Sequence, residues 1–301
     1  MTADALPRPR RFVGRDGTLL TADVWGEASS PPLVLLHGGG QTRHAWGRTG
    51  PRLAALGWRV VAPDLRGHGT SAWSADGDYA LGLFADDVRA IAAALDDRPV
   101  LIGASLGGLS ALLAAGEAPE TAVRALVLVD VAHRPDPRGV RRIVEFMRGR
   151  PDGFASVGEA AAAVSAYLPH RTRPDDPEAT RMRNNLRRRG DRWVWHWDPR
   201  ILDSFEHRTD PPGMAERLLH AARHADAPIL LVRGGMSDVV REDVAEQFCD
   251  RVPRARRVDV AGAGHMVAGD RNEHFVDAIV PFLEEILPPR TQDVTRPRPA
   301  R

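Results

Sequence analysis

Apolar residues along this chain gather into short continuous runs separated by longer stretches of helical spacing. The runs fall at Thr18 to Trp25, Leu33 to Leu36, Trp58 to Ala62, Val100 to Ile102, Ala125 to Val129, Ile229 to Val232 and Arg257 to Val260. Helical patterns lie between most of them, at about residues 45–56, 80–95, 106–115, 241–249 and 273–286. Short apolar runs bounded by glycine and polar loops read as buried strands, and their alternation with helices predicts an α/β fold, a mostly parallel sheet with helices on both faces. Ligands of such sheets bind beyond the carboxyl ends of the strands. The loops to inspect for chemistry are therefore those after Leu36, Ile102, Val129, Val232 and Val260. The alternation stops between about Val131 and Ala227, a stretch rich in Arg, Pro and Asp with short helix-like pieces at about 140–148, 156–167 and 179–189. It reads as an insertion between the two halves of the sheet. The polar, proline-containing end of the chain, residues 289–301, is expected to be a disordered tail.

One junction carries more chemistry than the rest. The strand run Val100-Leu101-Ile102 enters Gly103-Ala104-Ser105-Leu106-Gly107 and continues without a gap into an alanine- and leucine-rich helix. This is the strand-turn-helix setting of a nucleophile elbow. Glycines at 103 and 107 remove side chains that would collide in so sharp a turn, and Ser105 is held out at a helix N-terminus. The unpaired N–H groups there, the Leu106 amide first among them, suit a developing oxyanion.

A serine hydroxyl is a weak nucleophile at neutral pH and needs a base, which in turn needs an acid to fix its tautomer. Three further segments supply candidates. Leu33 to Leu36 ends in His37-Gly38-Gly39-Gly40, where the Gly39 amide is expected to complete an oxyanion hole with Leu106. Ile229 to Val232 leads to Asp238, and the last strand leads to Gly264-His265. The order Ser105, Asp238, His265 assigns nucleophile, acid and base. His37, Gly40, Asp130, His133 and Met266 fall where they would line the pocket, with His37 preferred as a loop-shaping hydrogen-bonder. Trp193, Trp195 and Trp197 fall on one face of an extended segment, as a pocket wall or, the preferred reading, as glue between insertion and core. The run Arg187-Arg188-Arg189 reads as a solvated helix face.

On these residues the chain resembles the α/β-hydrolase superfamily over about residues 12–130 and 227–287. The likeness includes Asp64-Leu65-Arg66-Gly67-His68-Gly69-Thr70-Ser71, similar to the D-x-R-G-x-G-x-S segment of many members. The resemblance implies the α/β-hydrolase fold, a mostly parallel eight-stranded sheet with helices on both faces and a helical cap. The core would be residues 1–130 and 228–288, with the cap at 131–227. It implies a serine hydrolase acting on an ester, thioester or lactone of an apolar small molecule through an acyl-serine, with Ser105, His265 and Asp238 as triad; Asp130, at the end of the Ala125 to Val129 strand, is the rival acid, because some members draw their carboxylate from that position. Carbon–carbon bond hydrolysis, perhydrolase or haloperoxidase-like chemistry and cofactor-free oxygenation use the same triad, and a non-catalytic receptor shares the scaffold. Epoxide hydrolases and dehalogenases of this fold carry aspartate at the elbow, where this chain has Ser105.

Composition narrows the field further. The 301 residues carry 41 basic and 40 acidic side chains, a net charge of +1, which gives no global field for nucleic acid or an acidic membrane surface. All the fixed positive charge is arginine, so lysine Schiff-base chemistry is out. A single cysteine, Cys249, forbids an internal disulfide and a multi-cysteine metal site, and the 11 histidines show no metal-ligand spacing, so no cofactor is expected. With no apolar leader run at the N-terminus and no bilayer-spanning stretch, a cytoplasmic location is expected.

Overall fold

Leu33 to Leu36 are all buried, and their side chains alternate between two apolar cores: Val34 and Leu36 face one, Leu33 and Leu35 the other. That two-sided burial explains why the strand runs lack polar alternation. The computed structural model describes residues 6–118, 121–169, 182–206 and 213–289. Eight strands form the main sheet in the order β1-β2-β4-β3-β5-β6-β9-β10: β1 Arg8–Val13, β2 Leu19–Trp25, β3 Pro32–Leu36, β4 Arg59–Pro63, β5 Val100–Ala104, β6 Ala125–Val129, β9 Ile229–Gly234 and β10 Ala255–Val260. The pairings from β4 to β10 are parallel, and β2 runs against both its neighbours.

Helices α2 Leu81–Ala93, α3 Leu106–Gly116, α7 Met214–His224 and α8 Glu242–Arg251 supply one core, and α1 Thr49–Ala55 and α10 Asn272–Ile286 supply the other. A short helix, α9 Val267–Asp270, precedes α10. Between β6 and β9 the chain forms α4 Pro137–Arg148, α5 Val157–Tyr167, an antiparallel hairpin of β7 Leu186–Arg189 and β8 Arg192–Trp195, and α6 Ile201–Glu206. Asp136 caps α4 by accepting the Arg138 N–H, with Pro137 opening the helix, and Ser156 caps α5 by accepting the Glu159 N–H.

Three elements depart from the pattern read in the sequence. β1 is an edge strand whose Pro9 and arginines hide its period, since Phe12 is its one buried residue. The arginine run is strand β7, not a helix face: Leu186 is buried and the three arginines are exposed. α7 lies within the stretch read as irregular insertion yet packs on α3, where a Cβ on Gly116 would overlap the Ala221 carbonyl. Trp195 and Trp197 stack at 4.9 Å between ring centroids, and Phe154 meets the Trp195 edge at 5.0 Å, so these rings glue the insertion together. The predicted tail from residue 290 lies outside the described residues. Among the described residues no helix is long and apolar enough to cross a membrane.

Candidate active site

The parallel register sets Leu36 beside Gly103, so the loops that leave β3 and β5 emerge side by side. Ser105 occupies φ 46°, ψ −114°, a conformation that L side chains rarely adopt, with its N–H bonded to the Val129 carbonyl at 3.1 Å. Holding it there costs about 1–3 kcal/mol, a strain that the surrounding packing must over-determine. The glycines explain how. A Cβ on Gly103 would sit 2.5 Å from the Gly107 backbone, one on Gly107 would lie 2.7 Å from the His37 carbonyl oxygen, and one on Gly108 would lie 2.7 Å from the Gly103 carbonyl oxygen. Strand, helix and the loop after β3 thus close in on one another only because three side chains are missing. Among the described residues, neither the Gly39 nor the Leu106 N–H is used in a hydrogen bond, and both lie where the loops converge on Ser105. A Cβ on neighbouring Gly38 would be 3.5 Å from the Ser105 Cβ.

The loop after β10 carries His265, whose Nδ1–H donates to Asp130 Oδ2 at 2.7 Å and leaves Nε2 as the ring's other nitrogen. Asp130 follows β6 with φ 49° and is fully buried. Its Oδ1 accepts the Gly234 N–H at 2.9 Å, and its Oδ2 also accepts the Ser237 hydroxyl at 2.5 Å. Ser237 in turn accepts the Val239 and Val240 N–H groups, so its hydroxyl hydrogen can point only at the carboxylate. Asp270 braces the histidine loop by accepting the Gly264 N–H at 3.0 Å.

The acid read first from the sequence is elsewhere. Asp238 pairs instead with Arg142 of α4 at 2.8 Å, with its side chain 39% exposed. The rival, Asp130, is the carboxylate on His265 because the residue that follows β6 turns into the left-handed region and carries its side chain to the loop after β10. Ser237, one residue before Asp238, was missed altogether. Its signal is weak, a serine in a glycine-containing loop, and its role is visible only once β6 and β9 are adjacent.

The remaining sequence candidates separate into two groups. Met266 lines a cavity of about 200 Å³ beside His265, together with Ile143, Tyr167, Leu168, Met236 and the Arg142–Asp238 pair. The three tryptophans do not line it. His133 is also a packing residue, stacked on Phe248, and burial pushes it down to about 4. His37 is the predicted loop shaper: its Nδ1–H donates to Gly38 O at 2.8 Å and its Nε2 accepts the Leu65 N–H at 2.9 Å. His68 from the Asp64 to Ser71 segment holds Gly40, accepting its N–H at Nε2 at 3.1 Å, and burial pushes its pKa down to about 3. Among the described residues no group of three or more His, Cys, Asp or Glu side chains is placed to hold a metal ion.

Residues 31–271 match the family model described as alpha/beta hydrolase fold. The chain is 32% identical to the esterase Rv0045c of Mycobacterium tuberculosis, over 88% of this chain and 86% of that protein. The crystal structure of that esterase superposes with a TM-score of 0.72 at 30% identity, covering 93% of each chain. The 3-hydroxybutyrate-oligomer hydrolase of Cupriavidus necator is 29% identical over 80% of this chain and 85% of its own. An α/β hydrolase from Novosphingobium aromaticivorans superposes with a TM-score of 0.76 at 28% identity, over 94% of this chain and 99% of that one.

Proposed function

Because this chain belongs to the α/β-hydrolase fold family and is related to esterases at about 30% identity, we propose that it is a serine hydrolase cleaving an ester, thioester or lactone of an apolar small molecule. The observation that carries the reading is the 2.7 Å Asp130–His265 bond at the same sheet end as the strained Ser105. Ser105 Oγ gives its proton to His265 Nε2 and attacks the carbonyl carbon. The oxyanion sits between the Gly39 and Leu106 N–H groups, which point at it without having to reorganise. As it collapses, the bond to the leaving group breaks, and that group takes the proton from Nε2. Water then gives a proton to Nε2 and attacks the acyl carbon, and Ser105 leaves with the proton restored. Asp130 holds the Nδ1–H tautomer and stabilises the imidazolium. Asp238 is outside this cycle and belongs to the pocket wall.

The cavity beside His265 favours a small substrate arm of low polarity. Its apolar walls come from Ile143, Leu168, Met236 and Met266, and its one guanidinium is already neutralised by Asp238. Intact-mass detection of labelling by a small fluorophosphonate tests the reading. One adduct on the wild type, absent from Ser105→Ala, is expected, with hydrolysis of p-nitrophenyl butyrate falling at least about 10⁴-fold in that variant. A folded wild type that takes no adduct and hydrolyses no ester contradicts it.

A further inference from the structure

Three buried imidazoles stand in a row behind the Gly38–Gly40 loop, and only two of them come from loops that leave the sheet. His37 and His68 are 5.1 Å apart between ring centroids, and His68 and His196 are 5.9 Å apart. His196 is 2% exposed and lies in the insertion, just after β8. Each ring accepts a backbone N–H, which a protonated ring cannot do: Leu65 to His37, Gly40 to His68 and Gly69 to His196 Nδ1 at 2.7 Å. With Nδ1 accepting, the His196 proton is on Nε2, where it donates to the Gly40 carbonyl at 3.4 Å. The Gly40 residue is therefore clamped on both sides, its N–H by His68 and its C=O by His196. Gly40 has φ 72°, and the insertion touches it a second time, since a Cβ there would lie 3.1 Å from the Met147 sulfur.

We propose that His196 is a positioning residue for the reaction, a group in the insertion that helps set the Gly39 amide by holding the carbonyl of Gly40, the residue whose N–H His68 holds on the other side. Asn185 of the insertion also reaches this loop, accepting the Thr42 hydroxyl at 3.5 Å, but among the described residues His196 is the insertion residue hydrogen-bonded to Gly40 itself. Among the described residues the Gly39 N–H makes no hydrogen bond of its own, so its direction is inherited from the His37 bond on the Gly38 carbonyl of the same peptide and from the two bonds on Gly40. Through His196, the seating of the insertion over the site and the aim of the oxyanion donor become one variable. A substrate that seats the insertion also completes the hole, and one that lifts it loosens the donor. Oxyanion donors act on the transition state, so the effect falls on kcat and spares KM. This inference rests on the serine-hydrolase reading above.

Two substitutions separate positioning from mere support. In His196→Asn the side-chain amide lies where Nδ1 was, keeping the Gly69 bond and losing the reach to Gly40. In His196→Gln the amide nitrogen reaches the Nε2 position and can still donate to Gly40. With p-nitrophenyl butyrate, His196→Asn is expected to lose about 10- to 100-fold in kcat with KM within about threefold, in keeping with the cost of misplacing a donor by a fraction of an ångström. His196→Gln is expected to recover most of that loss at a melting temperature no higher than that of His196→Asn. Equal losses in the two variants, a loss carried by KM, or a folded His196→Asn with wild-type kcat would overturn the proposal. Failure of the underlying reading looks different: the wild type itself then shows no Ser105 adduct and no turnover, and the positioning role falls with it.

Discussion

Asp130 uses both carboxylate oxygens on three groups from two other parts of the chain, the Gly234 amide and Ser237 hydroxyl at the end of β9 and His265 after β10. Removing the hydroxyl by Ser237→Ala leaves the His265 bond but frees the carboxylate to turn, and a loss of about 10-fold in kcat is expected in steady-state assays. The sequence reading ranked Asp238 ahead of Asp130, both being loop carboxylates at the same sheet end, and what puts Asp130 on His265 is a backbone turn at φ 49°. The buried histidines give this residue scale a pH signature. Burial lowers the pKa of His37, His68, His133 and His196 below the ordinary 6.5, to about 3 for His68 and about 4 for His133. The unfolded chain therefore binds protons that the folded chain refuses as pH falls below 6.5. Stability is complete above that value and is lost as pH falls toward the folded pKa values, by about 1.4 kcal/mol per pH unit for each group. In urea unfolding between pH 7.5 and 4.5, His68→Gln should shallow the loss by one such share. A slope unchanged from the wild type would mean that His68 is not neutral in the fold.

At the scale of elements, the turn at Ser105 is a packing solution in which three glycines let β5, α3 and the loop after β3 touch. Gly103→Ala puts a methyl 2.5 Å from the Gly107 backbone, with no flexible side chain to yield. A destabilisation of about 3 kcal/mol or more by chemical denaturation is expected, with loss of Ser105 labelling. Gly82, the second residue of α2, is the contrast: a Cβ there meets nothing within 4 Å. Gly82→Ala should stabilise by about 0.5 kcal/mol by relieving backbone entropy. The elbow and the central strands were legible because two-sided burial leaves continuous apolar runs. β1 and β7 were not, since Phe12 and Leu186 are their only buried residues and arginines fill the exposed positions. A strand held mainly by its neighbours' hydrogen bonds leaves little trace in a hydrophobicity pattern.

Across the whole molecule, charge is used to tie distant segments together. Arg66, 1% exposed, leaves the loop after β4 and bonds Asp87 of α2 through two nitrogens at 2.7 and 2.6 Å and Asp16 of the β1–β2 turn at 2.9 Å. Arg66→Met strands the buried Asp87 carboxylate and should cost about 3–5 kcal/mol in denaturant unfolding, whereas a cost under about 1 kcal/mol would mean that the carboxylate finds water or a proton cheaply. The sheet assembles the proposed site from strands far apart in sequence, with nucleophile after β5, acid after β6 and base after β10. Order along the chain favoured Asp238 for the acid, and adjacency in the sheet favours Asp130. The most direct test is kcat of Asp130→Asn beside Asp238→Asn on p-nitrophenyl butyrate, with both variants verified as folded. The account predicts a fall of about 10⁴-fold for Asp130→Asn, the cost of an unanchored base, and a change within about tenfold for Asp238→Asn. A collapse confined to Asp238→Asn, with Asp130→Asn near wild type, would contradict it.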